Sequence, residues 1–130
     1  MASQTGCKSV LVVEDDELIR QSLKTFLADE GYAVYTAKEG AEALKKLDEI
    51  PHPCLILLDY YMPVMDGREF LEKIKKDART LVAGIPVVLV SAALERNVEG
   101  KDHLAGFIKK PIDLELLLSV VKNHCGSVTE

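Results

Sequence analysis

The sequence predicts a single α/β domain built on a doubly wound, five-stranded parallel sheet with helices on both faces. Three observations carry that prediction. Short unbroken apolar runs, among them Val10–Val13, Cys54–Leu58 and Val87–Val90, read as strands buried on both faces, since a strand with one wet face would alternate apolar and polar residues. Amphipathic stretches of helical period separate these runs in strict β–α alternation. A length of 130 residues, 48% of them hydrophobic, suits one compact core.

The elements follow in order. Val10–Val13 is the first strand. Asp16–Glu30 then repeats apolar residues at Leu18, Ile19, Leu23, Phe26 and Leu27, a helical stripe expected to face the core. Gly31 closes that helix, because glycine enters the left-handed conformation of a C-terminal cap without a Cβ penalty. Tyr32–Thr36 is the second strand. Ala43, Leu44, Leu47 and Ile50 mark a second helix, stopped by Pro51 and Pro53. Cys54–Leu58 is the third strand, and a helix carrying Phe70, Leu71 and Ile74 begins after Gly67. Pro86 introduces the β-branched strand Val87–Val90. A weak helix, short or irregular, is expected over Ala93–Glu99 and ended by Gly100. Phe107–Lys109 is a brief fifth strand. Asp113 caps the last helix, which is expected to bury Leu114, Leu117, Leu118 and Val121. Right-handed crossovers then fix most of the topology.

Composition excludes several function classes. The net charge of −5 and scattered basic residues leave no stripe able to neutralise phosphates, so neither a nucleic acid nor a membrane surface is an expected partner. No apolar stretch approaches the roughly 20 residues needed to span a bilayer, and the start lacks a basic-then-apolar signal. Cys7, Cys54 and Cys125 lack metal-ligand spacing, which predicts free thiols in a reducing cytoplasm, with Cys54 a small buried hydrophobe. His52, His103 and His124 share no spacing and are given no catalytic role.

The chemistry lies at the strand ends. In a parallel sheet these share one edge, where open α/β folds bind ligands. The first run ends in Glu14-Asp15, the third in Asp59, the fourth in Ser91 and the fifth in Lys109-Lys110. Carboxylates brought within a few ångströms repel unless a cation separates them, and an all-oxygen, carboxylate-rich site suits Mg²⁺. The plainer alternative is that Glu14, Asp15 and Asp16 cap the following helix, where negative charge is favourable anyway; Asp16 and Glu17 are the members expected to be capping or solvated. Ser91 offers a hydroxyl to a phosphate oxygen, though alone it reads as a turn residue. Lys110, aimed by Pro111, offers an ammonium that can pair with Asp59 at rest and with a phosphate afterwards.

Four strings stand in order on these ends: Val-Val-Glu-Asp-Asp, Leu-Asp-Tyr-Tyr-Met-Pro-Val-Met-Asp-Gly, Val-Ser-Ala and Ile-Lys-Lys-Pro. In carrying all four the chain resembles the receiver domain of response regulators in two-component signal transduction, over residues 8–124, with 1–7 as an N-terminal extension and 125–130 as a tail. The resemblance implies a flavodoxin-like sheet of order 2-1-3-4-5. It implies that Asp59 is the phosphoacceptor, a nucleophile toward phosphohistidine on a sensor histidine kinase or phosphotransfer protein. It further implies that Asp15 and Asp59 hold Mg²⁺ (or Mn²⁺) directly, that Glu14 acts through water, and that the Tyr61 backbone carbonyl completes the ligands. Ser91 and Lys110 would bind the phosphoryl oxygens, and Ser91 and Phe107 would form the switch pair. The expected output is protein contact through the face around the fourth helix, fifth strand and last helix. A switch of this kind assists its own phosphorylation but is not an enzyme for a separate substrate.

Departures from the family pattern bear on these expectations. Glu14 stands where Asp is more usual, and the interval from Ser91 to Lys110 is short, which puts the fourth helix and its docking face in question. Tyr61 and Ala93 occupy the positions beside the acceptor and the hydroxyl that tune phosphate lifetime; a shielding tyrosine and an inert alanine predict slow autodephosphorylation. Two rivals remain: a Mg²⁺-dependent phosphohydrolase, disfavoured because Tyr61 replaces the second acid such enzymes use, and an interaction module that keeps the fold without phosphorylation. Whether the receiver stands alone or belongs to a larger regulator or hybrid kinase stays open.

Overall fold

The computed structural model describes residues 8–51, 53–59, 67–77, 83–91 and 104–125. Five parallel strands, β1 (Ser9–Val13), β2 (Ala33–Ala37), β3 (Leu55–Asp59), β4 (Val87–Ser91) and β5 (Leu104–Lys109), form one sheet of order β2-β1-β3-β4-β5. Four helices are described: α1 (Glu17–Asp29), α2 (Gly40–Glu49), α3 (Gly67–Lys75) and α4 (Leu114–Cys125). The helix expected over Ala93–Glu99 lies outside the described residues. No described helix is long and apolar enough to cross a membrane.

The pleat explains why the strand runs are apolar throughout. Leu11, Val13, Ile56, Leu58, Val87 and Leu89 face one layer with Ala43 and Leu47 of α2 and Phe70, Leu71 and Ile74 of α3. Their neighbours Val10, Val12, Leu55, Leu57, Val88 and Val90 face the other, with Leu23 and Leu27 of α1 and Leu117 and Val121 of α4. Alternate residues point to opposite faces, so a strand buried between two helical layers needs an apolar side chain at every position. β1, β3 and β4 are buried along their whole length and apolar except at one terminal residue each, Ser9, Asp59 and Ser91. The edge strands β2 and β5 are not, and each is partly exposed. This is why β5, interrupted by Ala105-Gly106, reads in sequence as only three residues. A register shift between Val87 and Val88, opposite Ala105, bends it.

The punctuation behaves as expected. The Asp16 carboxylate caps α1 by accepting the Ile19 N–H at 3.0 Å, and Asp113 caps α4 by accepting from the Glu115 and Leu116 N–H groups. Gly31 has φ 100°. Its N–H donates to the Ala28 carbonyl, and the Tyr32 N–H reaches back to Leu27, the paired closure of a Schellman motif.

Three expectations are corrected. Leu18 is 81% exposed and Leu114 is 43% exposed, so neither belongs to the core; each lies at the first turn of its helix, outside the buried stripe. The cysteines are not all free: Cys54 and Cys125 are joined in a disulfide. Cys54 accordingly is a half-buried, bonded residue and not a fully buried hydrophobe. The spacing of the two cysteines, 71 residues apart, carried no sign of this, because only the antiparallel run of α4 under the sheet brings them together.

Candidate functional site

Parallel pairing sets the site. β1 and β3 are neighbours in register, Val13 opposite Leu58, so the residues that follow both strands meet at one edge. Glu14, Asp15 and Asp59 each offer a carboxylate oxygen within 4.8 Å of the others. Glu14 is 2% exposed and Asp59 6%, whereas Asp15 faces solvent. Two acids are thus fixed in the floor of a crevice and the third stands at its lip.

Each side chain is held from more than one direction. The Glu14 N–H donates to the Ala37 carbonyl at 3.0 Å, which extends the β1–β2 ladder by one bond. One Glu14 oxygen accepts the Asp16 N–H at 3.1 Å, and the other contacts Lys110 Nζ at 3.1 Å. Lys110 Nζ also lies 3.7 Å from Asp59 Oδ2, so the ammonium is shared between the two buried acids and is nearer Glu14. Its backbone is tied across the sheet, the Lys110 N–H donating to the Ser91 carbonyl at 2.7 Å. Ser91 itself is fully buried at the end of β4, between the strands that carry Asp59 and Lys110.

Sequence reasoning missed Arg20. This residue is only 8% exposed, and its guanidinium Nη1 donates to the Glu14 carbonyl at 3.0 Å and to the Asp15 carbonyl at 3.4 Å. It clamps the backbone from which both acids project. The available signal was a charged residue in the core-facing stripe of α1, one position after Ile19 and three before Leu23.

Electrostatics show the charge out of balance. Burial and then the Glu14 charge push the Asp59 carboxyl up to about 7, although Lys110 pulls the other way. Burial disfavours the Lys110 ammonium, but its hydrogen bond to Glu14 and the surrounding acids outweigh that and raise its affinity for the proton. Three carboxylates around one ammonium leave a net negative hollow. The donor set is all oxygen and converging, which fits a hard divalent cation. Among the described residues no other group of this kind is present, and His124, in the last turn of α4, takes no part in it.

Phe107 is half-buried on β5 and packs against the layer under α2 and α3. It pairs in register with Leu89, two residues before Ser91 on the same strand, so Ser91 and Phe107 share a face of the sheet. Tyr61 and Ala93 lie outside the described residues.

A family model described as the response regulator receiver domain matches residues 10–122. The protein PilG of Pseudomonas aeruginosa is 31% identical over 99% of this chain and 96% of its own length. Response regulator RR06 of Streptococcus pneumoniae is 34% identical over 88% of this chain, which spans only about half, 51%, of that relative. Among solved structures, the response regulator TrrA of Thermotoga maritima in complex with Mg²⁺ and beryllofluoride superimposes with a TM-score of 0.78. It is 32% identical, over 89% of this chain and 97% of that one.

Proposed function

The chain belongs to the response regulator receiver domain family, and on that premise we propose that it is a phosphorylation-activated signalling switch with Asp59 as its phosphoacceptor. The convergence of Glu14, Asp15 and Asp59 within 4.8 Å, with Lys110 against two of them, is the observation that carries this reading. Asp59 is the member suited to attack. It is buried at the end of the central strand, which pairs with β1 as far as Leu58 and with β4 at Asp59 itself, opposite Val90, so little orientation is lost on approach to phosphorus.

The donor is a phosphohistidine on a sensor kinase or phosphotransfer protein. An Asp59 oxygen bonds to phosphorus as the phosphorus–nitrogen bond breaks, and the histidine leaves. Lys110 already bridges Glu14 and Asp59, so its ammonium can follow the charge onto the phosphoryl oxygens without a large movement. Ser91 donates its hydroxyl to another of those oxygens. A magnesium or manganese ion, held by Asp15, Asp59 and the Tyr61 carbonyl with Glu14 acting through water, would supply the positive charge that spreads against the transferring oxygens. That both Glu14 oxygens are already engaged supports an indirect role for this ligand. Beside Lys110 opens an apolar groove of roughly 340 Å³, lined in part by Leu18, Ile19, Ile112 and Leu114. A protein donor can seat on it while presenting its histidine to Asp59.

Phosphorylation adds about −1.5 to −2 charge at Asp59. It draws Ser91 inward, and Phe107, sharing that face, fills the space released. The segment over Ala93–Glu99, β5 and α4 then present a changed surface to a protein target. The chain is not an enzyme for a separate substrate, acts in the cytoplasm, and with Tyr61 and Ala93 loses its phosphate slowly. Phosphotransfer from a panel of sensor kinases tests the reading. The parent should take label from at least one kinase and Asp59→Asn from none; equal labelling of the two would refute it.

A further inference from the structure

The edge of the sheet opposite the acids holds a second reactive pair. Cys54 immediately precedes β3, the strand that ends in Asp59, and Cys125 is the last residue of α4. Because α4 runs back beneath the sheet, its C-terminal end arrives at the start of β3, where the two Cα atoms stand 5.8 Å apart and the sulfurs are bonded. We propose that Cys54 and Cys125 form a reversible thiol–disulfide exchange site. It is closed by disulfides of small thiols, opened by dithiols, and ties α4 to the strand carrying Asp59.

Reversibility rests on the surroundings of the sulfurs. The Ser9 carbonyl lies 3.0 Å from Cys54 Sγ and 3.9 Å from Cys125 Sγ. It already accepts the Cys54 backbone N–H at 3.0 Å, so it has a partner while the disulfide is closed. When the pair is reduced, the same oxygen, which has two lone pairs, is placed to accept the Cys54 S–H at its 3.0 Å separation. Both redox states are therefore satisfied without rebuilding the edge. Access is also provided. Both cysteines are only half-buried, and Cys125 closes a helix, where terminal turns open at little cost. In a reducing cytoplasm a disulfide of this kind is transient and responsive in character.

The exchange balances without further reagents. One protein thiolate attacks the small disulfide, giving a mixed disulfide and releasing one thiol. The second protein thiolate displaces the remaining small thiol and closes the Cys54–Cys125 bond. The protein dithiol gives up two electrons and two protons, and the small disulfide takes them up as two thiols. The closed bond spans a separation of 71 residues that contains β3, β4, β5 and nearly all of α4, and so restricts the unfolded chain strongly. In the folded chain it pins the last turn of α4, an element otherwise anchored by Leu117 and Val121.

The test uses the full chain with Cys7→Ser, equilibrated over a series of reduced-to-oxidised glutathione ratios and quenched with a maleimide that adds mass to each free thiol. The expected result is one reversible transition from two labelled thiols to none, with no glutathione retained. The oxidised form should melt on the order of 10 °C above the reduced form, and amide exchange should slow in the last turn of α4. Adding Cys54→Ser or Cys125→Ser should leave a single thiol that labels or carries glutathione. Two thiols that label at every ratio, or that each take glutathione in place of each other, would overturn the proposal; so would equal melting of the two forms. Asp59→Asn should titrate like the parent, which separates failure here from failure of the phosphoacceptor reading.

Discussion

A carboxylate that binds a cation and attacks phosphorus has to be ionised, yet burial and Glu14 hold the Asp59 proton affinity high in the metal-free protein. The unfolded chain loses this proton near pH 4 and the folded chain only near 7, so metal-free stability falls as pH rises between those values. Lys110, whose proton affinity is also raised, has a pH slope of the same sign but at far more alkaline pH, so its stabilising charge stays constant over this range. Denaturant titrations in chelator should therefore find Asp59→Asn more stable than the parent at pH 8, with the gap closing toward pH 4 and narrowing at pH 8 when Mg²⁺ is added. A gap independent of pH would contradict this origin. Arg20 acts one step further out, holding the Glu14 and Asp15 carbonyls. Outer partners of metal ligands typically matter by 10–100-fold, so Arg20→Met should weaken Mg²⁺ binding by calorimetry about tenfold. Arg20→Lys should recover part of that loss. Asp59 and Lys110 were legible in sequence because each ends an apolar run before a Pro-marked turn; Arg20 was not, because its role depends on where helix α1 turns one side chain back under the loop.

At the scale of elements, the turns and caps were the most legible features and the helix faces the least. Gly31 announces the end of α1 by chemistry alone, since φ 100° strains any residue with a Cβ; Gly31→Ala should cost about 1–2 kcal/mol, read from urea melts. The face of a helix is harder to assign, because periodicity marks an apolar stripe but not its margin. Leu18 and Leu114 continue the repeats of α1 and α4, yet they flank the groove beside Lys110 and stay exposed. That placement gives them a separate expected role. Leu18→Glu should slow phosphotransfer from a protein donor by on the order of tenfold, the value of one well-packed aliphatic contact, while leaving labelling by a small-molecule phosphodonor unchanged. Equal slowing with both donors would remove the groove from the docking account. The edge strands show the same limit from the other side: β5 is longer than its apolar run because one of its edges has no neighbour to demand apolar residues.

For the whole molecule, the layering followed from strict alternation of apolar runs and amphipathic stretches, and the strand order from the family resemblance. The cysteine pairing did not, since it joins two ends that meet only once α4 has doubled back. What the fold achieves is to spend its rigid centre on one edge. Three buried central strands bring acids from β1 and β3 together with an ammonium from beyond β5, beside the buried Ser91 that ends β4. The claim on which this depends is that phosphorus is accepted at one aspartyl oxygen. It is tested most directly by phosphorylating the parent with Mg²⁺, trapping the acyl phosphate reductively with borohydride, and locating the modified residue by peptide mass spectrometry. The account predicts modification at Asp59 alone and its loss in chelator; modification at Glu14 or Asp15, or at Asp59 equally without metal, would contradict it.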